Sequence, residues 1–102
     1  MPDNNITVSQ AAALVDEFKS LNISSQYSSF IPKAQIEELL SQSGSIGLNI
    51  YNGYADGKIH LVVVSAQTSA DPAYQIQDDL SIVKNGYDGS PQMTVVPNDI
   101  NT

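Results

Sequence analysis

Apolar residues in this chain are spaced by three and four up to about residue 40, then by two from about residue 46. That switch orders the fold. Val8, Ala11, Ala12, Val15 and Phe18 share one helical face, while Asp16, Glu17 and Lys19 fall off it. Thr7 and Gln10 have the spacing of a capping box, in which each side chain satisfies a backbone N–H of the other. The pattern predicts a helix over 8–20. Residues 22–29, rich in Ser and Asn, read as a connection. Pro32 suits the first position of a second helix, where its missing N–H costs nothing. Ile36, Leu39 and Leu40 give that helix its apolar face, Glu37 and Glu38 face water, and Gly44 stops it, so it spans 32–42. Lys33 and Glu37 lie four apart, in the weaker order for an ion pair.

From Ser45 to Gln67 the period is two. Ile46, Leu48 and Ile50 alternate with Gly47, Asn49 and Tyr51, and Ile59, Leu61 and Val63 alternate with His60, Val62 and Val64. Asn52-Gly53 and Asp56-Gly57 lie between the runs, so the segment reads as a β-hairpin. A two-residue turn at Asp56-Gly57 would pair Ile50 with Val63. A longer loop over 52–57 would pair Ile50 with Ile59. Either register puts the Ile46, Leu48, Ile50 set beside the Ile59, Leu61, Val63 set. The second strand is apolar on both sides from Leu61 to Val64, which suits the centre of a sheet. Gly47 inside a strand suggests a bulge or a close backbone approach.

Beyond Ala66 the pattern is less decided. Residues 68–73 read as a loop turning at Asp71-Pro72, and 74–83 fit a helix or a strand. Asn85-Gly86 and Asp88-Gly89 read as turns, and 92–96 as a short edge strand between Pro91 and Pro97. The expected architecture is one α+β domain over 1–102, with 1–6 and 97–102 as loose tails. Two N-terminal helices pack on a small, mainly antiparallel sheet built around the hairpin. The expected core is Val15, Phe18, Ile36, Leu39, Leu40, Ile46, Leu48, Ile50, Leu61 and Val63.

The second helix and the hairpin also resemble a group of small bacterial proteins of unknown function. In that group a PKxxIExLLxxxG segment precedes GIRIYxG, a turn and an LVLVxV strand. The matching residues are Pro32, Lys33, Ile36, Glu37, Leu39, Leu40 and Gly44, then Gly47, Leu48, Ile50, Tyr51 and Gly53, then 61–64. Asn49 stands where the group tends to have a basic residue, and the cysteine-bearing segment that often ends those proteins is missing. The resemblance implies a shared hairpin fold and carries over no functional residue.

Composition narrows the chemistry. The 102 residues hold 11 acidic side chains against four lysines and no arginine, for a net charge of −7. That argues against nucleic acid and anionic membrane surfaces, which are met through Lys and Arg. The absence of cysteine removes disulfides, thiolate nucleophiles and thiolate metal sites. No secretory leader pattern opens the chain and no run approaches the ~18 apolar residues of a membrane span, so a cytoplasmic location is expected.

His60 is the only histidine and reads as a strand residue rather than a base or metal ligand. Asp78-Asp79 and Glu37-Glu38 are sequence neighbours, which point apart, so they read as solvated surface rather than as a hydrolytic pair. Asp56, Asp71, Asp88 and Asp99 suit turns. No calcium loop, nucleophile elbow or phosphate-binding loop is spelled out. The expectation is therefore no enzyme, no cofactor and no metal. The tyrosines at 27, 51, 54, 74 and 87 remain as contact residues. Gly47, Tyr51, Tyr54, Val62 and Val64 are the interface candidates, on the second face of the hairpin and at its tip. The expected function is a protein-interaction or structural module that associates with itself. The alternative is an acidic inhibitor or immunity-type protein that binds a basic protein.

Overall fold

The computed structural model describes residues 4–23, 28–86 and 95–101. Its elements follow the order α1 (Val8–Ser20), α2 (Lys33–Leu40), β1 (Ser45–Ala55), β2 (Lys58–Thr68) and β3 (Ile76–Asn85). The strands form one antiparallel sheet in the order β1-β2-β3, so the fold is α+β and β2 is its centre. The chain divides into two compact units, Ser29–Gln92 and Met1–Ser28 with Met93–Thr102.

In the second of these, α1 starts on the capping box expected of it. Thr7 Oγ1 accepts from the Gln10 N–H at 3.1 Å, and Gln10 Oε1 accepts from the Thr7 N–H at 2.9 Å. Ala11, Ala12, Val15 and Phe18 are half-buried. Val8, at the exposed first position, is not. Near the other terminus Asn98 Oδ1 accepts from the N–H groups of Ile100 and Asn101, so the side chain holds a turn.

The unit Ser29–Gln92 carries the sheet. There α2 is shorter than its pattern and starts one residue later, with Pro32 as the cap rather than the first helical residue. The helix stops at Leu40 with Ser41 as its cap, before the expected glycine. Gly44, at φ 81°, takes the left-handed conformation in the following turn, where the Ser45 N–H donates to the Gln42 carbonyl at 3.1 Å and the chain enters β1. Leu39 packs down on the sheet and is fully buried, and Glu38 reaches over to pair with Lys84 of β3.

Asp56 (φ 52°) and Gly57 (φ 75°) make the two-residue type I′ turn, whose twist matches that of the strands it joins. Tyr54 therefore pairs with Ile59 and Ile50 with Val63. Asn52-Gly53 is not a turn but lies inside β1. The ladder shifts between Ser45 and Gly47, which places a bulge at Ile46, as the glycine suggested.

Residues 76–85 settle as a strand, but not a regular one. Val83 pairs with Val64 and Asp79 with Ser65, so 80–82 bulge out of the ladder. The Ser81 N–H, turned from the ladder, donates to Asp79 Oδ1 at 3.0 Å. The loop before β3 turns at Asp71, whose Oδ1 accepts from the Ala73 N–H at 2.9 Å.

The observed core is narrower than the pattern. Among the described residues Leu39, Val63, Val64, Ser65 and Ala66 are buried, with Val63 at 0% exposure. Leu48, Leu61 and Ile36 are half-buried. Leu40, Ile46 and Ile50 are exposed, against expectation. Each has a local reason: Leu40 ends its helix, Ile46 sits on the bulge, and Ile50 lies on a strand that, among the described residues, has a neighbour on one side only. Of the expected 92–96 strand, 92–94 lie outside the described residues, and Val95 and Val96 carry no strand. Asp88-Gly89 also lies outside them. No helix among the described residues is long and apolar enough to cross a membrane.

Candidate functional site: the outer edge of β1

The turn fixes which backbone groups of β1 are used. In a hairpin closed by two residues, the flanking pair, here Ala55 and Lys58, exchanges hydrogen bonds, and every second residue does the same. Ala55, Gly53, Tyr51 and Asn49 therefore bond to β2. Leu48, Ile50, Asn52 and Tyr54 aim their N–H and C=O groups at the outer edge. The far side of β2 agrees with this alternation: the Leu61 carbonyl, opposite Asn52, accepts from the Gly86 N–H at 2.7 Å and so faces β3. Among the described residues β1 is paired with β2 alone.

The two edges of the sheet differ. The β3 edge is interrupted by its bulge and holds Asp78, Asp79 and Lys84, features that discourage another strand from docking. Along its whole length, SIGLNIYNGYA, β1 carries neither charge nor proline. Its outward residues are apolar or aromatic apart from Asn52. Ile50 is 50% exposed and Tyr54 62%.

A cluster of polar side chains holds β1 from the face opposite α2. Asn49 Nδ2 donates to Tyr51 Oη at 3.1 Å and to Asp78 Oδ1 at 2.9 Å. The Tyr51 hydroxyl donates to Asp78 Oδ2, closing the triangle. The contact spans two strand spacings, roughly 10 Å. It runs diagonally over β2, because Asp78 pairs with Ala66 while Asn49 pairs with Val64 and Tyr51 with Val62. The hydrogen bonds from Tyr51, and then from Asn49, hold the Asp78 carboxyl below its ordinary value. The bond to Asp78, helped by desolvation and by the carboxylate's charge, holds the Tyr51 phenol above its own. Both shifts lead away from neutrality, the reverse of what a general acid or base needs. The cluster straps β1 to β3 across β2.

Asp79 points the other way, as a sequence neighbour on a strand should. Its Oδ2 accepts from Gln42 Nε2 at 3.1 Å, and Ser81 holds its carboxyl below the ordinary value by its hydroxyl and then its N–H. Asp78 and Asp79 read from the sequence as solvated surface. They instead tie β3 to β1 on one face and to the end of α2 on the other. Asn49, a polar residue within an apolar alternation, was the available signal. It acquires a meaning only once 76–85 is known to be a strand.

The strap predicts an acid limb in stability. A carboxyl with a lowered folded-state value stabilises the fold at pH above its ordinary value, and that contribution is lost as pH falls through the lowered one. Asp78→Asn should flatten part of this limb in urea midpoints taken from neutral to strongly acidic pH. An unchanged limb would mean that the strap contributes nothing.

The interface candidates divide. Tyr51 and Tyr54 are exposed on β1, Gly47 and Val62 are half-buried, and Val64 is 1% exposed and offers no surface. Tyr27 and Tyr87 lie outside the described residues. His60 is half-buried, and its Nδ1 lies 3.3 Å from Asn85 Nδ2. Among the described residues no three His, Asp or Glu side chains gather as metal ligands. No protein-family model, curated protein or solved structure matches the chain.

Proposed function

We propose that this protein is a non-enzymatic interaction module, cytoplasmic in location, that associates with itself through β1. The observation that supports this reading most is the contrast between the two sheet edges. One is bulged and charged, whereas the other is long, uncharged and supplied with outward backbone donors and acceptors. Burial of Val64 moves the interface from the second face of the hairpin to its outer edge. The resemblance of 32–64 to the bacterial group adds a common hairpin fold to this reading and nothing about activity.

The test is a light-scattering mass over a dilution series at low and at high salt. Two copies of a chain with net charge −7 repel, and salt screens that repulsion, so self-association should tighten as salt rises. The same charge favours one alternative, an acidic inhibitor that binds a basic protein. Such a complex would weaken with salt. A monomer at every concentration and salt level rejects self-association.

A further inference from the structure

We infer that the occupant of the β1 edge is a second copy of β1, antiparallel, with the two-fold axis at Tyr51. This rests on the self-association reading above and names its geometry. The usable ladder is bounded by the bulge at Ile46 and the turn at Asp56-Gly57. Outward residues pair with outward residues, so the register can shift only in steps that keep Leu48, Ile50, Asn52 and Tyr54 facing their own kind. Centring the pair on Tyr51 matches Leu48 with the second copy's Tyr54 and Ile50 with its Asn52. Every outward N–H and C=O between the bulge and the turn then has a partner. Centring it on Ile50 instead sets Tyr54 against the bulged Ile46 and loses that end of the ladder.

Two further observations favour a second copy as occupant. A chain with net charge −7 must approach itself through an uncharged surface, and β1 is the one strand of the sheet without a charged residue. Tyr51 is also drawn inward over its own sheet by Asp78, so the residue on the axis leans away from its twin. The product is a single sheet running through both copies, with β3 at its two protected ends.

The chain has no cysteine, so single substitutions report the register cleanly. On the axis, Tyr51 faces its twin at about 4.5 Å between Cα atoms. That lies within the roughly 4.4–6.8 Å that a disulfide accepts. Ile50 and its twin then lie on a diagonal, at about 7–8 Å. In a glutathione redox buffer, Tyr51→Cys should form covalent dimer several-fold more than Ile50→Cys. If Ile50→Cys dominates, or the two are equal, the register is overturned while self-association stands. If the wild-type chain is monomeric by light scattering, both are overturned. Should Tyr51→Cys lose its fold by circular dichroism, amide exchange on the wild-type chain decides. Slowing with concentration at Leu48, Ile50, Asn52 and Tyr54 supports the axis at Tyr51. Slowing that omits Tyr54, or none at all, overturns it.

Discussion

Val63→Asp should abolish cooperative unfolding of the Ser29–Gln92 unit. Val63 is fully buried at the centre of β2, with Ile50 and Lys84 as its ladder partners. The substitution forfeits about 1.5–3 kcal/mol of apolar burial. It also places a carboxylate where water does not reach, at a further cost of several kcal/mol. Against a domain stability of about 5–15 kcal/mol, the sum removes most or all of the margin. Lys84 cannot rescue it without giving up Glu38. Urea unfolding followed by circular dichroism reads the outcome. His60→Ala, on the opposite face and half-buried, serves as the control and should move stability by less than about 1 kcal/mol. A Val63→Asp protein with a wild-type transition would show that this strand is not the core.

Ile50→Lys should separate association from folding. Ile50 is half exposed, and its backbone N–H and C=O face outward at the middle of the edge. A lysine there is how natural edge strands repel a neighbour. In the two-fold pair it also brings two ammonium groups onto adjoining diagonals. The monomer loses only part of one side chain's burial, about 1 kcal/mol or less for a residue half exposed. The dimer loses well over tenfold in affinity, since that factor needs only about 1.4 kcal/mol. Light scattering should return a monomer from a variant whose circular dichroism is unchanged. Equal loss of folding and association would place Ile50 in the core after all; unchanged association would remove β1 as the interface.

Local signals in this chain were strong wherever structure is local. The capping box at Thr7 and Gln10, the stripe on α1 and the alternation of β1 and β2 all depend on residues a few positions apart. The hairpin register was open between two turns because Asn52-Gly53 and Asp56-Gly57 carry the same chemistry. What decided it was twist: the turn that puts both central residues at positive φ closes a regular ladder, and Asn52-Gly53 then has partners in Leu61 and His60. Residues 74–83 were undecided because their apolar spacing fits a helix and a strand alike. A bulge over 80–82 erases the alternation that would have announced β3.

Taken alone, the sequence determined the two helices, the hairpin and the central place of β2, because periodicity, caps and turn residues act over one or two turns of chain. It also determined that a long stretch in an acidic protein would be uncharged. Tertiary structure decided which aliphatic side chains are covered, since Ile46 and Ile50 obey the alternation and still face solvent on a bulge and at an edge. It alone joined Asn49 and Tyr51 to Asp78, residues 27 or more positions away, across the intervening strand β2. Contacts of that kind depend on which strand lies beside which, and no spacing along the chain encodes it.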